Sequence, residues 1–184
     1  NFRFDGKVVW RIVKIGIPAS IMGMEMNLGN LVLVRFISPF GTLGVAAHTL
    51  NQRVQFFMGV PAMGLGQAAG VLVGQNLGAK QPERAVTTGW RSAGLLTVLM
   101  VVFSGAMLLW AEYVVRIFNS DPALVEIAAA FIRIAAAGYL FTGLTGSLQQ
   151  CISGAGDTLP PMLITLLNLW LVQVPLAFFL SRYT

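Results

Sequence analysis

Residues 11–39 read RIVKIGIPASIMGMEMNLGNLVLVRFISP, an apolar run that ends at the turn Ser38-Pro39 and holds one carboxylate, Glu25, near its middle. At ~1.5 Å per helical residue, Ile12 to Ile37 extends roughly 39 Å, enough to cross a ~30 Å hydrocarbon core with some tilt. Glu25 then lies close to the bilayer midplane. An ionisable group at that depth is costly unless it faces a partner, a protein interior or water, which makes it the first functional candidate. Gly16 and Pro18 mark kink points near the start of the run.

The rest of the chain has the same character. Apolar residues make up 56% and charged residues 10% of the 184, against roughly a quarter charged in soluble proteins. With a mean hydropathy of +0.75, the composition excludes a water-soluble domain and predicts an integral, all-α, polytopic membrane protein. The net charge of +5 does not point to nucleic acid, because the basic residues sort by membrane side. Cys151 is the single cysteine, so no intrachain disulfide forms. The chain begins at Asn1 with a basic amphipathic segment rather than a signal sequence, and an internal piece of a longer protein is expected.

Five spans are expected, at about 12–37, 45–78, 85–110, 123–151 and 161–181, with residues 1–14 as a cytoplasmic linker at the lipid headgroups. The second span carries His48, Asn51, Gln52 and Gln55 on one helical face, too polar for lipid, and then Gly66, Gly70, Gly74 and Gly78 at a period of four, a smooth groove for another helix. The segment 111–121 is expected to be a short amphipathic link. Asp121-Pro122 caps the fourth span, and Asn168, Gln173 and Pro175 lie inside the fifth. With Asn1 inside, seven of the twelve basic residues fall on the cytoplasmic side (Arg3, Lys7, Arg11, Lys14, Lys80, Arg84, Arg91), two outside (Arg116, Arg182) and three within spans (Arg35, Arg53, Arg133). That is a clear positive-inside bias.

Two loop motifs carry a family resemblance. The segment AAHTLNQRVQFFMGVPAMGLGQAAGVLVGQNLGAKQPERA (residues 46–85), followed at the right distance by CISGAGDTLPPM (residues 151–162), resembles the second half of a MATE (multidrug and toxic compound extrusion) transporter. The resemblance covers the whole chain. It implies that the five spans form most of one six-helix lobe of a twelve-helix, two-lobed transporter, as the seventh to eleventh helices, with the N-terminal lobe as their partner. It further implies export of cationic amphipathic small molecules in exchange for Na⁺ or H⁺, in the plasma membrane of a bacterium (the inner membrane), with no cofactor beyond that ion. In the NorM-like branch the seventh helix carries an acid where Glu25 stands, paired with an aspartate in the tenth. Thr142 occupies that second position here, so the second acid is absent. The DinF-like branch relies instead on an aspartate in the first helix, outside this chain.

Each candidate has a functional and a structural reading. Glu25 is either a protonatable or Na⁺-binding carboxylate or a structural partner of arginine. Counted from the outer ends of their spans, Glu25 lies about 18 Å deep, Arg53 about 12 Å and Arg133 about 14 Å, a possible charged layer. Asn51, Gln52 and Gln55 read as a cavity wall or as inter-helix hydrogen bonding. Met22, Met24 and Met26 around Glu25 suit varied ligands or simply face lipid. No second histidine accompanies His48, which excludes a histidine-rich metal site. Lys80 fails the phosphate-loop pattern. An alternative within the same superfamily is export of lipid-linked or polysaccharide precursors, with Arg53 and Arg133 on anionic phosphates. Nothing in the chain supplies a nucleophile with its base or an acid pair, so an enzyme is not expected.

Overall fold

The structure is a computed structural model that describes residues 5–183, apart from the side chains of Leu140, Arg182 and Tyr183. Residues 1–4 of the expected linker, Arg3 among them, fall outside the described residues. The chain runs through α1 (Gly6–Ile37), a 3₁₀ turn (Ser38–Phe40), α2 (Gly41–Gly78), α3 (Pro82–Phe118), α4 (Pro122–Gly154) and α5 (Leu159–Leu167). A π-helical turn (Asn168–Gln173) then leads into α6 (Val174–Tyr183). No strand occurs among the described residues. Four stretches are long and apolar enough to span a bilayer: Gly6–Gly78, which contains α1 and α2, then Pro82–Phe118, Pro122–Tyr139 and Leu159–Ser181. The protein is a polytopic α-helical membrane protein, and it turns large apolar side chains such as Phe56, Phe57, Leu109 and Leu171 outward, as a lipid-facing surface requires.

Two compact units form, Ile37–Ala155 being one of them. In this unit α2, α3 and α4 pack around Leu50, Val54 and Met58 of α2, Leu96, Met100 and Val115 of α3, and Leu124, Ala128, Ile132 and Ala136 of α4. The α2 positions recur at four-residue spacing, one face of a helix. Between apolar helices in lipid there is little hydrophobic drive, so close van der Waals contact carries the association. The glycine row provides it. A Cβ on Gly70 would come 2.6 Å from the carbonyl oxygen of Gln150, and one on Gly74 would come 2.7 Å from that of Gly154. Parallel packing of α2 on α4 results from this register. Antiparallel α3 and α4 meet where Ser104 Oγ donates to the Ala136 carbonyl at 2.8 Å and where Gly143 admits Met100.

Sequence cues set the ends of these helices. Pro82 opens α3 with Glu83 in its first turn, and Asp121 Oδ1 accepts from Ala123 N–H at 3.1 Å ahead of Pro122 to cap α4. Between α2 and α3, Lys80 adopts φ 59°, and Gln81 N–H closes on the Asn76 carbonyl at 2.9 Å, a helix stop usually made by glycine. Residues 111–118, expected to be a separate link, instead continue α3. Only Trp110 departs from helical angles (φ −116°, ψ 17°), so the chain kinks there without leaving the helix.

The other unit joins α1, through Phe36, to the segment from Gly156 onward. Residues 6–14 belong to α1 and are continuous with the first span. Four contacts fix a parallel register between α1 and α5 to α6. Thr158 Oγ1 donates to the Ile15 carbonyl (3.1 Å), Thr165 Oγ1 to Glu25 Oε2 (2.9 Å), Leu169 fills the notch at Gly29, and Phe178 meets Phe36 edge to face at 6.2 Å. Where the fifth span was expected as one helix over 161–181, α5 widens into the π turn at Asn168, directly after the first two of these contacts.

Candidate functional site

Glu25 is the most buried charged side chain described, 6% exposed, on a stripe with Pro18 and Gly29 that forms the inward side of α1. Helical spacing of seven and four residues aligns the three. Its partner is the hydroxyl of Thr165, which the sequence reading did not single out. Thr165 Oγ1 lies 2.9 Å from Glu25 Oε2 and 3.0 Å from the carbonyl oxygen of Met162, one turn back on α5. A hydroxyl carries one proton and accepts through its lone pairs, so it serves a carboxylate or a carboxylic acid equally. Met24 and Met26, on either side of Glu25, are exposed at 68% and 76%, an outward-facing rather than a site-lining position.

The remaining candidates lie in the unit of α2, α3 and α4. Asn51 is buried, and its Oδ1 meets no partner among the described residues. Gln52 bonds to His48 Nε2 at 2.9 Å along the same helix. Gln55 is exposed, as is Arg53, while the Gln55 side chain reaches towards Tyr139 of α4. The polar face of α2 is therefore divided: Asn51 points into the helix packing, and Gln55 stays at the surface. Arg133 takes Glu112 of α3 as its ion-pair partner at 3.0 Å, both side chains about half exposed. Thr142 is exposed and donates to its own helix, to the Tyr139 carbonyl at 2.8 Å.

Sequence reasoning passed over three further buried polar groups of α3 and α4. Ser104 is satisfied by Ala136, whereas Tyr139 Oη and Ser147 Oγ meet no hydrogen-bond geometry among the described residues. Their signal is faint, since hydroxyl side chains are common in membrane helices. At the far end of α3 a cleft of about 630 Å³ is lined by Glu112, Arg116, Ser120, Pro122, Val125 and Glu126. Among the described residues no group of three or more histidine, cysteine or acidic side chains gathers as a metal site. For a cation, Glu25 thus offers one carboxylate with one hydroxyl beside it.

Long apolar helices around a buried carboxylate and hydroxyl pair define an integral membrane protein with one ionisable group held inside a spanning unit. The chain belongs to the MatE family, whose model matches residues 18–179. It is similar to the "Probable multidrug resistance protein NorM" of Thermotoga maritima, 29% identical over 94% of this chain and 37% of that protein. The fold matches an outward-facing multidrug resistance MATE family transporter of the MOP superfamily with a TM-score of 0.78 and 27% identity, over 86% of this chain and 35% of the other. It matches a MOP superfamily transporter from Pyrococcus furiosus, described as having a binding pocket of reversed polarity that suggests a different function, with a TM-score of 0.77 and the same identity and coverage. The chain spans a little over a third of the length of these relatives.

Proposed function

We propose that the chain serves secondary active efflux of cationic amphipathic compounds, coupled to inward movement of Na⁺ or H⁺ by alternating access. Glu25 is the exchanging carboxylate. The observation that carries this reading is the burial of Glu25 beside a neutral hydroxyl rather than a guanidinium. A carboxylate locked to arginine stays charged, while one beside a hydroxyl can bind a proton or a cation and release it. The family relatives named for multidrug resistance support export of varied small molecules. The exchanged ion is a co-substrate, and the reading needs no resident cofactor and no enzymatic chemistry. The bias of the basic residues supports a cytoplasmic Gly6 and α2 to α3 turn in a bacterial inner membrane, and the N-terminal lobe of such a transporter would complete the cavity.

The test is transport by the full-length protein in liposomes under an imposed Na⁺ or H⁺ gradient. Glu25→Gln is expected to lower gradient-driven export at least tenfold, as loss of a functional intramembrane acid implies, while leaving binding of a fluorescent cationic substrate measurable. Export at the wild-type rate in that variant rejects the coupling role. The alternative, export of anionic lipid-linked cargo on Arg53 and Arg133, loses support from the ion pair of Arg133 with Glu112, which already offsets one of its two cations.

A further inference from the structure

Thr165 holds one proton between two acceptors. Its Oγ1 is 2.9 Å from Glu25 Oε2 and 3.0 Å from the Met162 carbonyl oxygen, and a single hydroxyl proton satisfies only one of them at a time. Along the two helices of this unit the other charged side chains are remote. Lys14 and Arg35 on α1 lie ~16 Å and ~15 Å from Glu25 along the axis, and Asp157 lies ~12 Å before Thr165. No ion pair to Glu25 occurs among the described residues. The hydroxyl is therefore the group that meets the carboxylate as its charge changes.

We propose that Thr165 is the positioning residue for Glu25, a hydroxyl that reverses its hydrogen bond when the carboxyl gains or loses a proton and so keeps α1 and α5 in the same register in both states. With Glu25 ionised, Thr165 Oγ1 donates to Oε2. When Glu25 takes up a proton on Oε2, that proton stays on the carboxyl and is donated to Thr165 Oγ1. The hydroxyl keeps its own proton and turns it to the Met162 carbonyl. No proton passes between the two side chains, and neither state leaves a buried donor without an acceptor. The anchors on either side, Thr158 on Ile15 and Leu169 on Gly29, hold Thr165 within reach throughout. The inference rests on the reading of Glu25 as the exchanging group.

Infrared difference spectra of the full-length protein between acidic and alkaline buffer, with Glu25→Gln to assign the band, report the acid C=O stretch of Glu25. Thr165→Val keeps the shape and removes the hydroxyl, and Thr165→Ser keeps the hydroxyl. The band is expected to move to higher frequency in Thr165→Val and to stay in place in Thr165→Ser. Export is expected to fall roughly tenfold in the valine variant, the loss of one hydrogen bond to a charged group, and to remain near wild type in the serine variant. An unmoved band in Thr165→Val, an equal move in Thr165→Ser, or no Glu25 acid band at any pH overturns the proposal. If Glu25→Gln exports normally the coupling reading falls by itself, and the band of the valine variant still decides whether the hydroxyl is the partner.

Discussion

A neutral partner suits a carboxylate that changes charge, and an absent side chain suits a contact between backbones. Both choices are made at single positions. Gly154 approaches α2 so closely that a Cβ there would land on the Gly70 carbonyl, whereas one on Gly78, at the end of the same glycine row, meets nothing within 4 Å. Gly154→Ala is expected to destabilise the unit of α2 to α4 by about 3 kcal/mol, the upper range for overpacking, because the obstacle is backbone and cannot rotate away. Gly78→Ala should change stability by no more than ~0.5 kcal/mol. Thermal unfolding of the purified protein in detergent separates the two, and equal midpoints would show that the α2 to α4 seam yields. The glycine row was legible because its period matches a helix face; that Gly78 falls past the seam was not, because sequence does not tell where α4 ends against it. Glu25 was legible for the same kind of reason, as a charge in an apolar run. Its partner was not. Arginines drew attention by their charge, yet Arg133 pairs with Glu112, and the hydroxyl that reaches Glu25 stands 140 residues along the chain.

Helices here are interrupted without being broken. Glu112 and Arg116 gave residues 111–118 the look of an interfacial link, but a kink at Trp110 suffices to redirect α3. The π turn at 168–173 is harder to foresee: Pro175, which has no N–H for the Leu171 carbonyl, marks a departure from regular helix but not its form. Its form fits the tertiary register. A π turn holds one residue more than the α-helix allows, which lets Leu169 sit at Gly29 and Phe178 at Phe36 on the same side of α1. Deleting Leu171, 67% exposed within the turn, should therefore restore α geometry with both anchors kept and cost less than ~1 kcal/mol. Deleting Leu163, in regular helix between the Thr158 and Thr165 anchors, rotates the remainder of α5 by ~100° and removes one of those hydrogen bonds. The second deletion is expected to lower the unfolding midpoint clearly more than the first. The opposite order would mean that the wide turn is not what absorbs the mismatch.

Charge is distributed unevenly along the unit of α2, α3 and α4. One end, where α2 and α4 finish and α3 begins, carries Lys80, Arg84 and Arg91 against Glu83; the other, where α3 finishes and α2 and α4 begin, carries Arg53, Arg116 and Arg133 against Glu112, Asp121 and Glu126. The helix directions come from the structure, through the Gly74 to Gly154 and Ser104 to Ala136 contacts, and the residues come from the sequence. Together they turn a count of lysines and arginines into a contrast between two ends, the first basic and the second neutral. Basic residues are retained on the cytoplasmic side, so the Lys80 pole should face inward and the Ser120 turn outward. Single cysteines test this, because the native Cys151 is buried at 7% exposure and contributes little background. In intact cells a membrane-impermeant maleimide should label the Ser120→Cys variant and leave Gln81→Cys unlabelled until the membrane is opened. Labelling of Gln81→Cys in intact cells with Ser120→Cys protected would invert the topology, and with it the direction in which Glu25 would carry its ion.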